Sequence, residues 1–433
     1  MTRRSRRGDR PPPGAAGLFL RAGTRYADRA APWEEQRLTA ERWSNWSGRV
    51  ECRPEAILRP ASDEELATIV RRAASAGQTV RVAGSGHSFT PLVATGGVLL
   101  SLDALAGIES SEPAALRATI RAGTKVHALG APLQALGMAL ANQGDVDVQA
   151  LGGAIGTGTH GTGRTLGSLS TQVVGLRVVT AAGELVEWSA ERDPELISAA
   201  RVALGMLGVV AAIRLQLVPA YRLHERVWRA SVEECMADLE RLVAAHRHFE
   251  FFWYPHRDFA EMKSLTPTEE IALAAGTTRG ERIGWSWEIF PSVRDLRFNE
   301  MEYAVPAAAG PACFREVRAR MQRRHPDVLW PIEYRTLAAD DIWLSPTHAR
   351  DTVTISVHQA AELPCDEFFA DIETILRAHG GRPHWGKLHT CTAEDLAGLY
   401  PEWERFCRTR ERLDPQGCFL NDYLAQLFAT RLV

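Results

Sequence analysis

Residues Thr79 to Phe89 read TVRVAGSGHSF. Thr79 to Ala83 alternate small, β-branched and basic residues, the pattern of a short buried strand. Gly84 and Gly86 flank Ser85, so the backbone there can take positive φ and let a bulky group approach closely. His87, Ser88 and Phe89 follow, an imidazole beside a hydroxyl and an aromatic wall. A strand, a two-glycine turn and a reactive side chain together mark a place where a ligand is held.

Working outward, Ser62 to Gly77 reads as a helix. Ser62 and Glu65 form a capping box, Leu66, Ile69, Val70 and Ala73 make one apolar face, and Gly77 closes the last turn. Val98 to Leu102 and Leu116 to Ala122 read as strands, and Lys125 to Leu136 as a further helix. The mixture predicts an α+β fold. A second glycine-rich stretch, Gly144 to Gly163, contains Gly156-x-Gly158-x-x-Gly161, the spacing of a dinucleotide fingerprint. That fingerprint requires a following amphipathic helix. Instead come TQVVGLRVVT (Thr171 to Thr180), the turn Ala182-Gly183 and Leu185 to Trp188, which predict a β-hairpin. The Rossmann reading therefore fails, while the glycines and Thr157, Thr159 and Thr162 still offer backbone N–H groups and hydroxyls to a ligand.

Pro219 marks a change of pattern. Strand, helix and strand are expected over Tyr221–Trp228, Ser231–Ala245 and Phe249–Tyr254, and again through Ala304, Cys313–Met321 and Val328–Arg335. These are two βαβ-like passages separated by a loop-like stretch, Thr266 to Glu281. Thr352 to Gln359 is a further strand, and the chain from Pro364 onward is mainly helical. On the strand PIEYRTL, Glu333 and Arg335 sit two apart and share a face. Thr354, Ser356 and His358 share one face of the next strand, and RPHWGKLH brings Lys387 and His389. Three adjacent sheet elements, each turning polar groups one way, point to a polyhydroxylated, sugar-like ligand.

The 433 residues carry a formal net charge of −3 and seven scattered cysteines, none spaced CxxC. This balance gives no electrostatic case for nucleic acid or an anionic membrane. It also argues against a zinc site or disulfide framework and for a reducing cytoplasm. No apolar run approaches the roughly 20 residues of a membrane span. The basic and Pro-rich start, residues 1–42, reads as a disordered tail.

Several rare motifs in order resemble the FAD-linked sugar-1,4-lactone oxidoreductases of the vanillyl-alcohol oxidase superfamily, the family of L-gulono- and D-arabinono-1,4-lactone oxidases and dehydrogenases with alditol oxidase more distant. They are RVAGSGHSF (Arg81–Phe89), GGAIGTGTHGTG (Gly152–Gly163), Glu302-Tyr303-Ala304 with Pro331–Arg335, GRPHWGK (Gly381–Lys387) and LDPQGCFLNDY (Leu413–Tyr423). The resemblance implies a PCMH-type FAD-binding domain over 43–219. It also implies a substrate domain over 220–433, with an antiparallel sheet covered by helices and C-terminal helices packing back on the FAD domain. It implies FAD held by Ala83, Gly84, Ser85, Gly86, His87 and Ser88, with His87 bonded covalently to the flavin. Asp145, Gly156, Thr157, Gly158, Thr159 and His160 would line the other side of the cofactor, and Gly208 and Val209 its adenine half. Glu333, Arg335, His358 and Lys387 match catalytic positions. Ala150 aligns with a serine of the alditol oxidase site, which favours a lactone over an alditol. The expected reaction passes hydride from a carbon-bound hydroxyl to flavin, with oxygen or a cytochrome or dye as final acceptor. His358 or Glu333 would take the proton, and Lys387 or Arg335 would stabilise the developing negative charge.

Overall fold

The computed structural model describes residues 42–271, 280–292 and 296–428. Except for Arg42, the expected tail lies outside these residues. Of the loop expected over Thr266–Glu281, Thr266–Thr268 instead close a strand and Glu281 opens the next, while residues 272–279 lie outside the described ones.

The opening stretch is the edge of a small parallel unit. Strand β1 (Ala56–Leu58), helix α1 (Asp63–Ser75), β2 (Val80–Ala83) and β3 (Val98–Ser101) form a three-stranded parallel sheet in the order β1-β3-β2. Helix α1 buries Leu66, Ile69, Val70 and Ala73 and sets Asp63, Glu64 and Glu65 at its positive end. Ser62 Oγ accepts from Glu65 N at 3.2 Å, but the return bond comes from Ala61 N, at 2.7 Å from Glu65 Oε2. The expected reciprocal box is therefore shifted by one residue on that side.

A second, antiparallel sheet follows. Its strands are β4 (Ile108–Glu112), β5 (Arg117–Arg121), β6 (Val173–Val179), β7 (Leu185–Ser189) and β8 (Val209–Gln216), in the order β7-β6-β8-β5-β4. The expected hairpin is β6–β7, paired from Val179↔Leu185. The helix expected over Lys125–Leu136 is broken into a 3₁₀ turn at Val126–Ala128 and a short helix α2 (Gly130–Ala135). Pro132 has no N–H to donate, so it is accommodated only in the first turn of a helix that starts afresh. A further helix, α3 (Leu151–Gly156), was not expected: it has no side-chain cap and three glycines, and it holds by burying Leu151, Ala154 and Ile155.

The third sheet has eight strands: β9 (Arg222–Ser231), β10 (His248–Tyr254), β11 (Phe259–Thr268), β12 (Glu281–Trp285), β13 (Phe298–Pro306), β14 (Ile332–Leu337), β15 (Thr352–Ala360) and β16 (Arg382–Pro383). Their order is β12-β9-β11-β10-β14-β15-β13-β16, with every pairing antiparallel. Each half is thus ordered 4-1-3-2, the split βαβ arrangement. The two βαβ passages exist, with α4 (Val232–Ala245) and α5 (Gly310–Arg324) as crossovers, but an antiparallel strand is inserted between the parallel pair in each. One face is apolar and covered by helices. There Phe251 stacks on Tyr334 with ring centroids 4.8 Å apart and meets Phe314 of α5 edge-on at 5.0 Å. Each such buried aromatic contributes about 1.5–3 kcal/mol through lost contact with water. Period-2 alternation then forces the polar residues of β13, β14 and β15 onto the opposite face.

Candidate active site

A groove runs between the glycine loop after β2, helix α3 and the turn that leads into β8. It is lined by Ala83 to Ser88, by Gly156 and Thr157, and by Gly208 and Val209. A Cβ on Gly84 would lie 2.9 Å from the Ala150 Cβ, so the two loops meet backbone to side-chain stub. Gly86 takes φ +70°, which an L side chain rarely adopts. Gly153 and Gly156 also line the groove, and among the described residues a Cβ on either would meet no heavy atom within 4 Å. Among the described residues, no backbone carbonyl accepts from the N–H groups of Ser85, Gly86, His87 or Ser88. Consecutive free amides in a glycine turn form an anion-binding nest, and the bared faces of Gly153 and Gly156 leave room for a flat, bulky group. The groove fits a dinucleotide such as FAD on both counts.

Arg81 ties this cradle together. Its guanidinium is buried and donates to the carbonyls of Leu92 at 2.8 Å and Phe419 at 2.6 Å, and also to those of Leu204 and Gly205. Burial pulls its pKa down to about 10, against the opposing pull of Asp414. His87 stacks on Trp46 at 5.1 Å and 25°. Burial, then Lys387 and Lys125, lower its pKa to about 4, so the imidazole is neutral at pH 7 and keeps a nucleophilic lone pair.

His87, Ser88, Gln149 and Thr157 also border a second cavity of about 330 Å³, a volume suited to a small ligand. Its floor is the polar face of the large sheet. In register, Glu300 lies opposite His358, Glu302 opposite Ser356, and Ser356 opposite Glu333. Glu300, Glu302 and Glu333 are 3%, 2% and 2% exposed and Arg335 is 8% exposed. Each carboxylate has a cationic or imidazole partner, as burial demands. Glu333 pairs with Arg335, and Glu300 with Lys387. Glu302 Oε1 meets His160 Nε2 at 2.6 Å, and its Oε2 accepts from Ser356 Oγ at 2.6 Å. Burial alone would favour the neutral acids, yet Lys387 holds Glu300, and His160 holds Glu302, well below the usual carboxylate range. Among the described residues, Glu333 Oε1 is buried without a hydrogen-bond partner, and Arg335 Nε has only Glu250 Oε2 at 3.8 Å, beyond hydrogen-bond length, an unusual state unless a ligand or water completes it. On the same face of β13 as Glu300, Phe298 meets Trp330 (centroids 5.5 Å apart), and the two border the cavity as an apolar wall.

His358 Nδ1 lies 2.8 Å from the Pro331 carbonyl, to which it donates, leaving the lone pair on Nε2. His384 Nδ1 accepts from Gly386 N at 3.1 Å, which leaves its proton on Nε2, and burial lowers its pKa to about 3. His160, Glu302 and His384 bring three ligand-type atoms within 4.8 Å of one another. His160 and Glu302 bond each other, while His384 bonds the Gly386 N–H.

Glu333, Arg335, His358 and Lys387 therefore line one cavity, together with Asp145, Thr159 and His160. These last three border the second cavity and not the groove, and Gly158 borders neither, lying against a small void behind Glu302. His389 stands apart, with Nε2 at 3.0 Å from Tyr423 Oη. Glu300, Glu302, His384, Arg81 and Trp46 are site residues to which the sequence reading gave no role. Glu300 and Glu302 carry the same two-apart spacing in FNEMEYAV as Glu333 and Arg335 in PIEYRTL. A charged Arg81 inside an otherwise apolar strand was a second usable signal.

The family model described as D-arabinono-1,4-lactone oxidase matches residues 213–280 and 267–427, and an FAD binding domain model matches residues 54–189. The chain is 38% identical to an L-gulono-1,4-lactone dehydrogenase of Mycobacterium tuberculosis, over 88% of this chain and 97% of the relative. It is 31% identical to an L-gulonolactone oxidase of Bos taurus, over 89% of this chain and 98% of the relative. Cholesterol oxidase from Brevibacterium sterolicum shares the fold, with a TM-score of 0.78 at 18% identity over 89% of this chain and 96% of that one. No helix among the described residues is long and apolar enough to cross a membrane.

Proposed function

The chain belongs to the FAD-linked sugar-1,4-lactone oxidoreductases, and from that premise we propose that it oxidises an aldono-1,4-lactone of the L-gulono-1,4-lactone type at a carbon-bound hydroxyl. It is an FAD-dependent oxidoreductase. Bound FAD supplies the hydride acceptor, while the protein supplies orientation, charge and a base. The two-part division, 43–219 for the cofactor and 220–433 for the substrate, belongs to the same proposal.

The observation that carries this reading is the sheet face beside His87. It combines buried Glu333 Oε1, without a hydrogen-bond partner among the described residues, and Arg335 Nε, whose nearest acceptor is Glu250 Oε2 at 3.8 Å, with the Phe298–Trp330 wall. A lactone ring offers hydroxyls to the former and C–H faces to the latter. Arg335, held by Glu333, binds and orients substrate oxygen. His358 takes the hydroxyl proton on Nε2, because its Nδ1 is committed to the Pro331 carbonyl while Glu333 Oε2 is already engaged by Arg335. A base so positioned contributes about 10²- to 10⁴-fold in rate. Lys387, beside Glu300, supplies positive charge at the edge nearest His87.

A panel of L-gulono- and D-arabinono-1,4-lactone against xylitol and sorbitol tests the substrate: kcat/KM is expected to favour the lactones, and a preference for the alditols would establish the alternative, an alditol oxidase. The electron acceptor is oxygen or a cytochrome- or dye-type acceptor, and hydrogen peroxide yield against dye reduction at fixed lactone decides between them. The proposal includes a covalent bond from His87 to FAD, supported by the neutral imidazole beside the groove. Acid-precipitated, washed protein should stay yellow and lose its colour in His87→Ala. Free flavin released from the wild type would contradict the bond.

A further inference from the structure

We propose that Glu300 is a positioning residue for this reaction: one buried carboxylate holds the Lys387 ammonium on one oxygen and faces His358 Nε2 with the other, so that a proton arriving on His358 is stabilised where it lands. The inference rests on the reading of His358 as the base.

Three geometric facts support it. Glu300 is 3% exposed, and its Oε2 pairs with Lys387 Nζ while its Oε1 stands 3.6 Å from His358 Nε2. Because His358 Nδ1 donates to the Pro331 carbonyl at 2.8 Å, Nε2 presents a lone pair towards Oε1. Two acceptors facing each other stay apart, which accounts for 3.6 Å rather than a hydrogen-bond length. Once Nε2 gains a proton it becomes a donor, and the same pair turns from mildly repulsive to attractive. The balance is simple: the substrate hydroxyl loses a proton, Nε2 gains it, and no electrons move in this step.

The backbone fixes the third member. Leu388 N donates to the Glu300 carbonyl at 2.9 Å, and Phe89 N donates to the Gly386 carbonyl at 2.7 Å. The loop bearing Lys387 is thus pinned between β13 and the glycine loop, with Lys387 Nζ 5.2 Å from the centre of the Phe89 ring. Other charged or titratable groups act on this pair from every side. Glu302 is on the same strand and opposes ionisation of Glu300, His384 feels both Glu300 and Lys387, and His87 feels Lys387. This role is analogous to a buried carboxylate that fixes an imidazole and stabilises its charged form in hydrolytic triads.

The test is Glu300→Gln in the holoprotein, with Glu300→Asp as the conservative partner. Anaerobic flavin reduction by L-gulono-1,4-lactone should slow about 10²-fold with substrate Kd nearly unchanged, and the acid limb of the rate profile should move to lower pH. Glu300→Asp should recover a large part of both. Independently of turnover, the ¹⁵N signal of His358, assigned by its loss in His358→Gln, should titrate at lower pH in Glu300→Gln than in wild type. An unchanged His358 titration, or a loss confined to Kd, would overturn the proposal. If the wild type ignores lactones but the titration still moves, the substrate reading fails and the Glu300–His358 link stands.

Discussion

The groove beside the glycine loop is walled mainly by backbone and apolar side chains, whereas the adjoining cavity is floored by buried Glu300, Glu302, Glu333 and Arg335. The first recognises its ligand by room and by free amides: Gly153 and Gly156 present bare surface, and Ser85 to Ser88 present N–H groups. The second recognises by charge, held in place because each buried carboxylate is matched by a guanidinium, ammonium or imidazole. The contrast follows from what each ligand part needs. A large cofactor that stays bound is satisfied by shape and a diffuse positive nest, while a reacting hydroxyl needs discrete groups set at the right positions.

Substitutions in the two regions should therefore fail differently. The largest effect is expected for Gly156→Leu, whose new side chain meets no protein atom near its Cβ but occupies the groove. The purified protein should fold, with an unchanged far-UV spectrum, and carry no flavin absorbance. Normal flavin content would show that the groove is misassigned. Arg335→Ala should keep flavin yet lose turnover, and should lower stability by about 3–5 kcal/mol, because it strands the Glu333 carboxylate in the interior. Denaturant titration against the flavin spectrum separates these two consequences.

A smaller effect concerns pH. Burial lowers the pKa of His248 and of His384 to about 3, whereas an unfolded imidazole titrates near 6.5. Only the unfolded chain takes up the proton between those values. The resulting stability is complete above about pH 6.5 and is lost as pH falls towards 3, by up to about 1.4 kcal/mol per unit per histidine. Urea midpoints at pH 7 and pH 5 should show this decline, and His384→Gln should lessen it. A midpoint independent of pH over that range would contradict the neutral, buried assignment. Smallest of all, Ser62→Ala removes an N-cap of α1 distant from both regions. It should cost about 1 kcal/mol and leave kcat and flavin content alone, as a reference for purely structural loss.

The same contrast explains what could be read from the chain. Period-2 spacing revealed Glu333, Arg335 and His358 because a strand face is a local property. It applied equally to Glu300 and Glu302, but acids alternating with Met301 and Tyr303 suit a solvated face just as well, so spacing alone gave them no role. Their burial depends on the glycine loops that cover the sheet, a contact made by residues more than a hundred positions away. The antiparallel strands β11 and β15 inside each βαβ passage were not legible for a similar reason, since pairing order is a tertiary fact. Helix α3 was missed because GGAIG has poor intrinsic propensity and only burial of Leu151, Ala154 and Ile155 sustains it. By contrast, α1, the hairpin β6–β7 and the glycine turn at Gly84 to Gly86 were visible at once, each being specified by residues close together in sequence.

The most direct measurement mixes oxidised holoprotein with L-gulono-1,4-lactone anaerobically and follows the visible flavin absorbance in wild type and in Glu333→Gln at equal flavin content. The account predicts rapid bleaching in the wild type and a strongly slowed reaction in the variant, with the flavin complement unchanged. Equal bleaching rates in the two proteins would contradict the assignment of the sheet face as the reacting wall.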